Sequence, residues 1–239
     1  NDDNEMTGML HWRVSERNPG QFNVLPMRDD GSQGDLTAGD ATFAAMIPGQ
    51  PADTVIEFYV ESTDGENSRT WPAPSDDEER QQANALFQFD DEIYEGNQPI
   101  YRLVMPVEED EAFQFGEFNA GSDAQKNVTL IARQGSDVDV RYQCGLRIRG
   151  AGSRSRNPRN NRLNIPRDRA WNGVTKINLN TQFIYLQLLG SKLSIASGIE
   201  AAGAKPVQLR QNGVNGAQDN QNARRYGSYL HVEAIDGDW

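Results

Sequence analysis

Along residues 138–150 apolar and polar side chains alternate for eleven positions, with Val138, Val140, Tyr142, Cys144, Leu146 and Ile148 on one face. That period predicts a strand, and it places Arg147 and Arg149 together on the opposite, polar face. Shorter runs of the same kind occur at 10–14, 22–25, 42–47 and 55–60, separated by Gly, Asp and Pro. This spacing predicts a small N-terminal β-sandwich over residues 1–74. Trp71-Pro72-Ala73-Pro74 and the acidic stretch after it read as a boundary, with an acidic linker or helix over 75–99 and a candidate helix start at Ser75.

A second body is expected over 100–239. Strand-like runs lie at 100–105, 127–133, 138–150, 174–179, 207–211 and 226–235, and a helix is expected over 182–197. In that helix Phe183, Leu186, Leu189, Leu193 and Ala196 form an apolar stripe, with Thr181 as candidate N-cap and Gly198 as candidate stop. Strands, then one main helix, then strands predict an α+β domain with a mostly antiparallel sheet. The loop 212–222 is rich in Asn, Gln and Gly.

Charge divides the chain. Residues 1–125 carry 27 acids and 6 bases, a net of −21, whereas residues 126–239 carry 8 acids and 17 bases, a net of +9. An acidic half favours solubility, and a basic half suits anionic groups or an acidic neighbour. Cys144 is the only cysteine, which excludes an intrachain disulfide and fits a small buried apolar residue. No run reaches the ~18–20 apolar residues of a membrane span.

Three groups of residues carry candidate chemistry. Asp29, Asp30, Asp35 and Asp40 are spaced by glycines within 29–40. Oxygen-rich, glycine-jointed loops suit Ca²⁺, and Asp-Gly turns whose carboxylates bond nearby amides are the alternative. Arg147, Arg149, Arg154, Arg156, Arg159, Arg162, Arg167 and Arg169 surround Gly150-Ala151-Gly152-Ser153. A strand followed by such a loop can present amides and guanidiniums to phosphate; a solvated basic face is the alternative. No aromatics interleave with these arginines, so no nucleic-acid partner is expected. At the end of the chain Tyr229, His231 and Glu233 share one face of a predicted strand.

Gly145–Arg154 (Gly-Leu-Arg-Ile-Arg-Gly-Ala-Gly-Ser-Arg), Arg162-Leu163-Asn164-Ile165, Ile177-Asn178-Leu179-Asn180, the run 188–196 and Gly227–Asp236 (Gly-Ser-Tyr-Leu-His-Val-Glu-Ala-Ile-Asp) follow one another in an order that resembles the CotH (spore-coat protein H) kinase family over roughly residues 101–239. Residues 1–74 resemble the Ig-like module that precedes such domains in secreted bacterial proteins. The resemblance implies an atypical kinase N-lobe fold, secretion or surface location, ATP with Mg²⁺ as cofactor, and a secreted or surface protein as phosphoacceptor. Carried over by position, Arg149, Gly150, Ser153, Arg154, Arg162 and Glu233 would lie at the nucleotide. The family's lysine on the basic strand is replaced by Arg162, which is not equivalent at a phosphate. Its metal-binding and catalytic acids would lie beyond Trp239, so the expectation is nucleotide holding without turnover by this portion alone. A structural or adhesive extracellular protein, self-assembling and without kinase chemistry, is the alternative.

Overall fold

The computed structural model describes residues 6–74, 83–115, 122–154, 158–215, 217 and 228–234. The chain divides into two compact units, residues 1–91 and 92–239. Among the described residues no helix is long and apolar enough to cross a membrane.

The first unit is a single antiparallel sheet of β1 (Thr7–Val14), β2 (Asn23–Met27), β3 (Val55–Thr63), β4 (Ser68–Trp71) and β5 (Ala85–Gln88). Central β3 pairs with β1 along one edge, while β4 and β5 share its other edge. Alternation works as read in β1: Gly8, Leu10 and Trp12 are buried, and Leu10 and Trp12 share their face with Ile56, whereas buried Leu86 stands opposite Glu57. On the other face Glu57 is buried, with its carboxylate accepting from Arg13 (Nη2, 2.8 Å), Ser15 Oγ (2.8 Å) and Asn84 Nδ2 (3.0 Å). The expected two-sheet sandwich is therefore corrected. The run 42–47 supplies only an isolated bridge, Arg28 to Ala44, and no second sheet forms among the described residues. Strand β5 lies in the stretch read as linker; the candidate start at Ser75 falls outside the described residues.

The second unit is also not the α+β kinase N-lobe that the sequence led us to expect. It is a closed barrel of seven strands, β6 (Ile100–Val104), β7 (Lys126–Gln134), β8 (Asp137–Ile148), β9 (Asn161–Asn164), β10 (Lys176–Asn180), β11 (Ala204–Gln211) and β12 (Tyr229–Glu233), joined in the order β10-β12-β11-β6-β7-β8-β9. Closure comes from β6, which pairs antiparallel with β7 and parallel with β11, so no sheet edge is left open. Helices α1 (Val107–Phe115) and α2 (Ile184–Ala196) are the two among the described residues. The interior is filled by Tyr101, Leu103, Leu130, Leu146, Leu163, Ile177 and Leu179 with their neighbours. Cys144 belongs to this core, and burial pushes its thiol pKa up to about 12.

Glu92 fastens the parallel seam. Arg102 and Arg210 stand opposite each other in register, and Glu92 accepts from both, at 3.1 Å from Arg102 Nη2 and 2.6 Å from Arg210 Nη2.

Helix α2 starts at Ile184 after Phe183, which has a left-handed backbone (φ 51°). Thr181 does not cap it; its hydroxyl donates to the Pro158 carbonyl instead. The stop is the expected one. Gly198 (φ 77°) and Ile199 return their N–H groups to Ile195 and Ser194, a Schellman closure. The buried face differs from the expected stripe. Ile184 and Leu188 pack on Ala204, Leu230 and Val232, whereas Leu186, Leu189 and Leu193 are 53–58% exposed. The helix is apolar on two sides, and periodicity alone does not say which side meets the sheet.

Candidate functional site

The arginine face is built by register. Arg147 on β8 stands opposite Arg162 on β9, and Arg162 opposite Asn178 on β10, so two guanidinium-bearing residues adjoin on the outside of the barrel. Arg149, just past β8, donates from Nη1 to Asn180 Oδ1 (2.9 Å), and Asn180 donates to Gln187 on α2 (2.7 Å). This chain ties the arginine to the helix. Burial, then Arg162, then Arg147 lower the pKa of Arg149, since each disfavours its positive form. Among the described residues no carboxylate pairs with Arg149.

Beyond it the loop folds on itself. Gly150 has φ 111°, and Ser153 Oγ occupies the space that a Cβ at this position would need, so the turn requires glycine here. Arg154 donates from Nε to the Gly150 carbonyl (2.6 Å), from Nη1 to the Ser122 carbonyl (3.0 Å), and pairs with Asp123. Asp123 also takes Arg147 Nη1 at 2.9 Å, and these two arginines hold its carboxyl below the usual range, the Arg154 hydrogen bond most of all. Arg159 is spent on the Phe113 carbonyl, Arg167 and Arg169 lie on a short 3-10 turn between β9 and β10, and Arg156 falls outside the described residues.

Of the residues expected at a nucleotide, Arg149, Gly150, Ser153, Arg154 and Arg162 are thus brought together around one end of β8 and β9. Glu233 is not. It pairs with Ile177 near the start of β10, while the Asn180 that Arg149 touches ends that strand, three residues or about 10 Å along it. The Glu233 carboxylate accepts the Gly203 N–H (3.1 Å), on the barrel's other end.

A one-residue slip in β8 builds that other end. Val128 pairs with Cys144 and Leu130 with Arg141, so two residues of β8, Tyr142 and Gln143, oppose the single Thr129; Gln143 takes φ 56°. A slip of one residue exchanges the faces of a strand. The inward alternation therefore holds only from Cys144 onward. Before the bulge Val138 is turned out, 58% exposed, and Asp139 is turned toward the interior face, where it accepts the Trp171 indole N–H (3.0 Å). Tyr101 packs edge-on against Trp171, and its hydroxyl lies 2.8 Å from His231 Nδ1. Lys205 reaches over both rings, 5.6 Å from the Trp171 centroid and 6.0 Å from that of Tyr101. Its pKa is lowered by burial and raised by Glu233, with burial the larger effect; burial and Lys205 lower His231 to about 4. The alternation of the sequence singles out His231 but not Lys205 or Trp171, and it misplaces Asp139, since the bulge that turns Asp139 inward is invisible in it.

In the first unit the oxygens of Asp29, Asp35 and Asp40 lie within 4.8 Å of one another. Asp30 stands outside this group and accepts from the Ser32 hydroxyl and the Ser32 amide (3.0 Å), and the hydroxyl most of all holds its carboxyl below the usual range. Asp29 accepts from the amides of Gly39, Asp40 and Ala41, and Asp35 from those of Gly31 and Thr37. These are the bonds of the turn alternative.

No protein-family model matches the chain, and no curated protein matches it.

Proposed function

We propose that the barrel unit holds the phosphates of a nucleotide, as Mg²⁺–ATP, on its arginine face, as part of a secreted CotH-like protein. The observation that carries this reading is Arg149. Its guanidinium is half-buried among like charges, and its hydrogen-bond partner among the described residues is the neutral amide of Asn180. Such a charge is costly to leave uncompensated, and a bound phosphate would offset that cost through charge-assisted bonds. Asp123 already neutralises Arg147 and Arg154 in part, which leaves Arg149 as the group facing the anion. Ser153 and Gly150 shape the adjoining loop. Glu233 takes no part, being held by Gly203 at the barrel's other end.

Calorimetric titration of the whole chain with Mg²⁺–ATP and with pyrophosphate tests the reading. Saturable binding is expected for both, weakened at least tenfold, about 1.4 kcal/mol, by Arg149→Met. An absence of binding heat and of any thermal shift, or equal affinity in a folded Arg149→Met protein, would sink it.

A further inference from the structure

At the end of the barrel away from the arginine face, two adjoining cavities of about 290 and 350 Å³ share Trp171, Asn172 and Lys205 as walls. The Lys205 ammonium stands where they meet. Aromatic faces lie beneath it, and among the described residues no carboxylate or carbonyl accepts a hydrogen bond from it. An ammonium has three donors, and a half-buried one without an acceptor is an open position for an anion.

A second polar group lines the same space. Tyr101 is fully buried and burial raises the pKa of its phenol, so the hydroxyl keeps its hydrogen; His231 Nδ1 is its partner. A neutral phenol can donate to Nδ1, and the neutral imidazole in that arrangement carries its hydrogen on Nε2. His231 lines the smaller cavity together with Lys192, Val174, Ala204 and Glu233. Two lysines against one carboxylate leave that cavity with a single excess positive charge. Val174 and Ala204 give it an apolar side.

We infer that this barrel mouth is a binding site for a small organic monocarboxylate, with the carboxylate between Lys205 and the His231 Nε2–H and a compact apolar body against Val174 and Ala204. Glu233 disfavours a second negative charge, which selects against phosphate and phosphonate dianions. The site is independent of the nucleotide reading, and its test is separable from it.

Benzoate serves as the probe, with benzyl alcohol as the neutral analogue and phenylphosphonate as the dianion, followed by protein-observed NMR on the whole chain. Saturable benzoate binding is expected, with benzyl alcohol and phenylphosphonate each at least tenfold weaker and no displacement by pyrophosphate. Lys205→Met, which keeps an unbranched stem over the rings, is expected to lower benzoate affinity at least tenfold. The inference is overturned if benzoate does not saturate by roughly 10 mM, if benzyl alcohol or phenylphosphonate binds as well, or if pyrophosphate displaces benzoate. Undiminished binding to a folded Lys205→Met protein overturns it too. If that variant unfolds, the three-ligand comparison on the native protein decides.

Discussion

The Tyr101 hydroxyl and Nδ1 of His231 share a hydrogen bond of 2.8 Å that joins β6 to β12 although 130 residues separate them. The imidazole is held neutral there by burial and by Lys205, with a folded pKa of about 4 against 6.5 for the free group. A depressed histidine pKa means that the unfolded chain binds the proton first. Stability from this group is therefore fully present above about pH 6.5 and is lost as pH falls toward 4, by about 3 kcal/mol in total. Urea unfolding between pH 7.5 and 4 checks this against His231→Gln, which keeps an acceptor for Tyr101. The native protein should lose more stability over that interval than the variant, and identical slopes would refute the linkage.

Removing the Glu92 charge should loosen the barrel seam. Arg102 and Arg210 face each other with side chains only 14% and 9% exposed, and Glu92→Gln leaves both with a weaker, neutral acceptor. Because Glu92 itself is one-third exposed, the expected cost is about 2 kcal/mol rather than the larger penalty of a fully buried pair. The midpoint of chemical unfolding, followed by a tryptophan signal from Trp171, reads it.

On α2 the two apolar sides should respond in opposite ways to truncation. Ile184→Ala removes a buried side chain from the contact with Ala204 and Leu230 and should cost about 2–4 kcal/mol. Leu189→Ala, at a position 54% exposed, should change stability by no more than about 0.5 kcal/mol. The reverse order of effects would mean that the expected stripe, not the observed face, meets the sheet.

In the aspartate loop Asp29→Ala strips an acceptor from three amides and should cost about 1 kcal/mol, given how exposed these bonds are. With the carboxylates serving as turn acceptors, the melting temperature of the native protein should be unchanged between millimolar Ca²⁺ and chelator. A calcium-dependent rise that Asp29→Ala abolishes would instead assign the loop to the ion.

Individual strands were legible, though not the architecture they form: β1 and the second half of β8 lie where alternation puts them, and β3 lies where a short apolar run puts it. The remainder was hidden for identifiable reasons. A single extra residue at the Gln143 bulge exchanges faces without altering composition, which concealed Asp139. Glu92 lies in a stretch that reads as acidic linker, and only pairing across the chain gives it a role. Helix α2 carries apolar residues on both sides, so its stripe predicts a helix but not its orientation. The arginine loop stands out because glycine, serine and arginine crowd together directly after a strong strand signal, whereas Lys205 is one lysine in an ordinary strand. Barrel closure itself depends on β6 meeting β11, a pairing that no local pattern encodes.

That pairing also bears on how the protein reaches its native state. Ile100–Val104 must wait for a segment more than a hundred residues downstream before its second edge is covered. Pairing at such separation carries a large loop-closure entropy and belongs late on the folding route, after the hairpins of β7 with β8 and β9 with β10. A nascent chain that has not yet delivered β11 would display β6 as an uncovered edge, the species most prone to associate with its own copies.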